Sequence, residues 1–122
     1  MAKLFLIIGS TFCMLSVALG AFAAHGLKSH VSDYAVGIFK TAAEYQMTHG
    51  LAIIAVAILI KWGMQIKWAG YLFSVGVILF SGSLYLLVLT GAKWLGPVTP
   101  IGGLCFILGW LVMIYKSAKQ SF

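Results

Sequence analysis

The chain has 122 residues, of which 62% are hydrophobic and 8% charged, whereas a soluble domain carries about a quarter charged residues. That shortfall excludes an ordinary soluble enzyme or binding module and points to the bilayer as solvent. The net charge of +6 comes from eight lysines set against Asp33 and Glu44; the lysines stand singly at the ends of apolar runs, which is a topology signal rather than a basic patch, so no nucleic-acid partner is expected.

The first apolar run, residues 4–24, is about 31 Å long as a helix, enough to span. Lys3, the apolar stretch and Ala21-Phe22-Ala23 imitate a secretory signal with its small-residue cleavage site. The apolar stretch is long for such a signal, and three further spanning runs follow, so the segment is read as a retained first span. Ser32 is placed to cap a helix that has Asp33 in its first turn. An amphipathic interfacial helix is expected over residues 32–41, running with a bend near Gly50 into a second span over 42–61 that ends at Lys61 and Trp62. A tight loop, residues 63–67, leads to a third span over 68–90, anchored at its start by Trp68 and Tyr71. The fourth span is expected over 99–115, with Thr99 as its cap and Pro100 at the first helical position. The expected fold is therefore all-α and integral to the membrane: one domain of four transmembrane helices in an antiparallel bundle.

Lysine placement orients it. Lys3, Lys61, Lys67, Lys116 and Lys119 share one side, and Lys28, Lys40 and Lys93 the other, together with both acids. The positive-inside rule then puts both termini in the cytoplasm. Helix association in lipid relies on close approach at small residues. Candidate packing positions are Gly20 and Ala24 in span one, Ser81, Gly82 and Ser83 in span three, and Gly102, Gly103 and Gly109 in span four. Tyr34, Phe39, Tyr45, Trp62, Trp68 and Trp94 are read as an interfacial aromatic belt, and Trp110 as a deeper packing residue.

Four segments carry a resemblance. They are residues 20–27 (Gly-Ala-Phe-Ala-Ala-His-Gly-Leu), Glu44-Tyr45-Gln46 with His49-Gly50-Leu51-Ala52, Ser81-Gly82-Ser83-Leu84-Tyr85, and residues 95–103 followed by Gly109-Trp110. In this order and spacing the chain resembles the small bacterial inner-membrane family numbered four-two-three among the domains of unknown function, which has mitochondrial relatives in animals. The first segment usually carries glycine where this chain has Ala23, a small-for-small exchange. The resemblance implies four spans and an inner-membrane location. It supplies no catalytic residue.

His25, Glu44, Gln46 and His49 form the candidate polar cluster, and topology places His25, Glu44 and His49 in the outer half of the membrane. An ionisable group there is costly and invites a functional reading, here a proton, ion or solute pathway through His25, Glu44 and His49. The structural alternative makes His49 neutral interhelical glue, bonded to Gln46, Tyr85 or a serine. The serines of the third span are expected to bond carbonyls one turn back. No nucleophile with a base, no metal-ligand spacing and no cofactor motif occurs, so no enzyme activity, metal or cofactor is expected. The leading expectation is a structural or accessory packing protein, a homo-oligomer or a subunit of a larger inner-membrane complex, in contact with membrane lipids. A lipid-binding protein is a further alternative.

Overall fold

A computed structural model describes residues 1–122, which form helices joined by short turns. Helix α1 spans Ala2–Ala24 and is followed by a 3-10 turn at Leu27–Ser29. Helix α2 spans Asp33–Lys61. Helix α3 (Lys67–Gly76) runs through a π-helical segment (Val77–Ser81) into α4 (Gly82–Thr90). A second 3-10 turn, Lys93–Leu95, precedes α5 (Val98–Lys119). With the Lys67–Thr90 stretch taken as one, four helices are long and apolar enough to cross a membrane.

Local chemistry sets the helix ends. The Ser32 hydroxyl accepts a hydrogen bond from the Ala35 N–H at 3.1 Å, and Asp33 sits in the first turn against the positive end of the helix dipole. Gly63 (φ 102°) and Gly91 (φ 70°) take the left-handed conformation that only glycine adopts freely, which lets α2 and α4 stop within one residue or two. The start of α5 corrects the expectation. Pro97 is the capping residue and the helix begins at Val98 with no side-chain cap. Thr99 and Pro100 are thus the second and third helical residues. Pro100 is tolerated because the first four N–H groups of a helix lack helical partners anyway, and the Thr99 hydroxyl is free to bond Ser83 instead.

Helix α2 is 29 residues long, or about 44 Å, against a hydrocarbon core of about 30 Å. Residues 33–41, expected from the sequence to belong to a separate interfacial helix, are the first turns of α2 itself, with Ser32 as the cap, and the helix is uninterrupted at Gly50. Gly50 is a crossing point. A Cβ on Gly50 would lie 2.9 Å from the Cys13 sulfur and 3.1 Å from the Gly9 carbonyl oxygen, and one on Gly9 would lie 2.7 Å from the Gly50 carbonyl oxygen. Each glycine makes room for the backbone of the other, so α1 and α2 touch along their main chains.

The same device recurs at the other interfaces. Gly70 holds the Phe5 ring, which a Cβ would meet at 2.6 Å. Gly109 holds the Phe73 ring at 2.6 Å, and a Cβ on Gly102 would come within 2.8 Å of the Phe80 Cα. Facing residues run in opposite order along neighbouring helices: Gly9 with Gly50 and Phe22 with Phe39, His49 with Phe73 and Phe39 with Tyr85, then Phe73 with Gly109 and Phe80 with Gly102. Helix α1 packs on α2, α2 on the Lys67–Thr90 helix, and that helix on α5, while α1 and α5 share no extended contact. The row is therefore open. Its main core gathers Phe5, Ile53, Val56, Ile66, Phe73 and Phe106; a smaller one joins Ala23, Leu27, Val36 and Phe39.

Several packing expectations need correction. Gly20 and Gly82 face open space, and Gly103 meets only the edge of the Phe80 ring at 3.9 Å; Ala24 is half-buried. Four-residue spacing marks a smooth stripe but cannot say which helix, if any, lies against it. Phe39 is fully buried between Phe22 and Tyr85 rather than in an interfacial belt. Enlarging a glycine at a main-chain crossing should cost about 1–3 kcal/mol or more through overpacking. Gly50→Leu and Gly102→Leu are expected to show that loss in detergent-titrated unfolding followed by circular dichroism, whereas Gly20→Leu should leave the transition where it is.

Candidate functional site

The polar side chains that lie inside the helix row form one layer, and Gln46 is its centre. Its Nε2 donates to the Phe12 carbonyl of α1 at 2.9 Å, and its Oε1 accepts from the Tyr85 hydroxyl of α4 at 2.7 Å. One amide therefore ties three helices, and the acceptor-only carbonyl fixes which way it points. The Phe12 carbonyl also accepts from the Ser16 hydroxyl at 2.9 Å. Four residues before Tyr85, the Ser81 hydroxyl is fully buried and donates to the Ala42 carbonyl of α2 at 2.7 Å. That bond crosses between helices, so the expectation that this serine bonds one turn back on its own helix is wrong for Ser81. Ser83 does reach back, to the Phe80 carbonyl at 2.9 Å, and also joins the Thr99 hydroxyl of α5.

His49 lies three residues, and so one turn, beyond Gln46 on the same face of α2. Its Nδ1 is 2.8 Å from the Tyr45 carbonyl oxygen, and the Trp110 indole N–H of α5 donates to its Nε2 at 3.1 Å. A carbonyl only accepts and an indole N–H only donates. The two bonds together therefore require a proton on Nδ1 and a lone pair on Nε2, the neutral imidazole. The ring stacks on Phe106 with centroids 3.6 Å apart and planes 10° from parallel. No buried side-chain nitrogen or oxygen in the protein lacks a hydrogen-bond partner. In hydrocarbon an unpaired polar group costs several kcal/mol, so this internal pairing is what permits the layer to exist.

The remaining members of the sequence-derived cluster lie elsewhere. Glu44 is exposed, and five residues at 100° each put it about 140° round α2 from His49. His25 is exposed at the end of α1, where its backbone N–H bonds the Ala21 and Phe22 carbonyls. No three His, Cys, Asp or Glu side chains converge. The His49–Trp110 pair lines an open groove of about 590 Å³, walled by Tyr45, Phe80, Leu104 and Ile107. With both ring nitrogens of His49 engaged, that groove offers apolar surface and no free base. Tyr85 and Trp110, absent from the cluster, complete it. For Tyr85 the signal is spacing, since it follows Ser81 by four residues and so shares its face.

A hydrogen bond between membrane helices is worth about 0.6 kcal/mol on average and at most about 1.7. Leaving a buried acceptor unpaired costs about 1–3 kcal/mol. Tyr85→Phe, which strands the Gln46 oxygen, should thus destabilise by about 1–2 kcal/mol. In a double-mutant cycle with Gln46→Leu, the two losses should sum to more than the double variant shows. Strict additivity in detergent-titrated unfolding would mean that the two side chains do not interact.

Comparison with known proteins agrees with a membrane protein. A family profile described as "Protein of unknown function (DUF423)" matches residues 19–103. Similar relatives named UPF0382 membrane protein occur in Staphylococcus aureus (strain bovine RF122 / ET3-1), 46% identical, Staphylococcus haemolyticus (strain JCSC1435), 47% identical, and Staphylococcus epidermidis (strain ATCC 12228), 43% identical. Each match covers 96% of this chain and 97% of the relative. No solved structure matches the chain. The matched residues include Gln46, His49, Tyr85 and the Gly102 crossing, and the chain belongs to the DUF423 family of multi-pass membrane proteins.

Proposed function

We propose that this protein is a structural or accessory packing protein of the bacterial inner (plasma) membrane, with no catalytic activity of its own. It acts as a homo-oligomer or as a subunit of a larger membrane complex. The observation that carries this reading is the internal pairing of every buried polar side chain. Groups that a transporter or enzyme would keep free for a substrate are engaged here in joining helices. The outer helices add a second argument. Only Gly102, Phe106 and Gly109 of α5 are buried, and Leu104, Ile107, Leu111 and Ile114 face outward. Such a surface suits lipid or another subunit.

Both termini are assigned to the cytoplasm. Lys3 and Lys61 line one groove, Lys67 and Lys116 another, and Lys116 and Lys119 a third, all grouped about the Gly63–Lys67 turn or the adjoining helix ends. The positive-inside rule makes that end cytoplasmic.

A proton or ion pathway through His25, Glu44 and His49 is the rival. The separation of Glu44 from His49 around α2 and the engaged imidazole weigh against it. Glu44→Gln and His49→Ala in proteoliposomes should leave proton flux at the level of empty vesicles with wild-type and variants alike; a wild-type flux abolished by either substitution in a folded protein would establish the rival. For the packing role, native mass spectrometry after gentle extraction at native expression level should show a homogeneous oligomer or stoichiometric foreign subunits. A strictly monomeric, partner-free protein in lipid would overturn it.

A further inference from the structure

Charge and aromatic rings meet at the lysine-rich end in a way that packing alone does not require. Five of the eight lysines gather there, and both acidic side chains of the chain, Asp33 and Glu44, belong to the part of α2 remote from Lys61. Between the α2–α3 turn and the end of α5 lies an open groove of about 390 Å³. Lys67, Lys116 and the Gln65 amide form its polar edge, and Ile60, Ile66 and Trp68 its apolar wall. The Lys67 ammonium stands 5.8 Å from the centre of the Trp68 ring, close enough for cation–π attraction to hold it beside that wall. Trp62 and Trp68 are largely exposed, and tryptophan settles at headgroup depth. The groove therefore sets Lys67, Lys116, Gln65 and Met1 beside a hydrocarbon-like wall, at the end of the helix row whose exposed tryptophans suit headgroup depth.

We propose that this groove binds the phosphate of an anionic phospholipid, with Lys67 and Lys116 pairing its oxygens and the Ile60–Trp68 wall receiving the first carbons of its acyl chains. An anionic headgroup fits better than a zwitterionic one, because the ammonium of a zwitterionic headgroup would be brought against two lysines with no side-chain carboxylate to receive it. Basic pockets between membrane helices on the cytoplasmic side recognise headgroups by this chemistry, and each lysine contributes about five-fold in affinity. The site does not depend on the proposed packing role, since a lipid can sit there whether the protein is alone or in a complex.

The test uses the full chain in nanodiscs of equimolar phosphatidylglycerol and phosphatidylcholine, with retained lipid counted by native mass spectrometry. Phosphatidylglycerol should be retained in preference. Lys67→Gln and Lys116→Gln should each lower its retention about five-fold. Lys3→Gln, at the same end but lining a different groove, should leave it unchanged, as should Lys40→Gln at the far end. Circular dichroism of each variant establishes that the helices are intact. Equal retention of the two lipids would overturn the proposal, and so would a Lys3→Gln effect as large as that of Lys67→Gln, which would mark a diffuse field. Inorganic phosphate in excess should not displace the lipid, because it gains nothing from the apolar wall. Displacement by phosphate, with the same dependence on Lys67 and Lys116, would make this a free-phosphate site and the lipid assignment wrong.

Discussion

The Gln46 amide is the tie on which the arrangement depends. It joins the Phe12 carbonyl of α1 to the Tyr85 hydroxyl of α4, and so fixes α2 between its two neighbours. Lipid offers helices no hydrophobic reason to associate, and the apolar core alone would let them slide. A buried amide has few satisfactory positions. Once it has both partners, the register of three helices is set, and the glycine crossings at Gly9, Gly50 and Gly102 come into place on either side.

Close approach and polar pairing support each other. Gly102 lets α5 lie against the backbone of the π-helical segment at Phe80. That places Trp110 where its indole N–H reaches His49 and sets Thr99 beside Ser83. A π-turn in a membrane helix is uncommon and often marks a functional position. Here it lies between α2 and α5 and ends in Ser81, whose hydroxyl bonds the Ala42 carbonyl across the interface. The polar layer thus extends from Ser16 in α1 to Trp110 in α5, with each member satisfied by another part of the chain.

Much of this was legible in the sequence. Apolar run lengths located the four spanning helices, and Ser32 marked the start of α2, because both depend on local chemistry that a window of residues contains. What spacing could not supply was rotation about each helix axis. Gly20 and Gly9 are equally small, yet only Gly9 faces another helix. Glu44 and Gln46 stand two residues apart, and that is enough to send one outward and the other into the layer. Charge singles out Glu44 and His25 in the sequence, whereas the neutral Gln46 amide is central in the structure. The start of α5 lies two residues earlier than the sequence suggests, for a related reason. Thr99 is a good cap by type, but its hydroxyl is engaged with Ser83 of the neighbouring helix, a tertiary preference that local rules cannot see.

If the layer exists to hold helices together, His49 must be neutral, with its proton on Nδ1 and the Trp110 N–H on Nε2. Nitrogen-15 NMR of histidine-labelled protein in bilayers at neutral pH reads that state directly. The account predicts one protonated and one unprotonated ring nitrogen for His49, with a through-space correlation from the Trp110 indole proton to Nε2 that is lost in Trp110→Phe. An imidazolium signal, or an Nε2–H tautomer without that correlation, would contradict it and return His49 to the status of a free acid–base group.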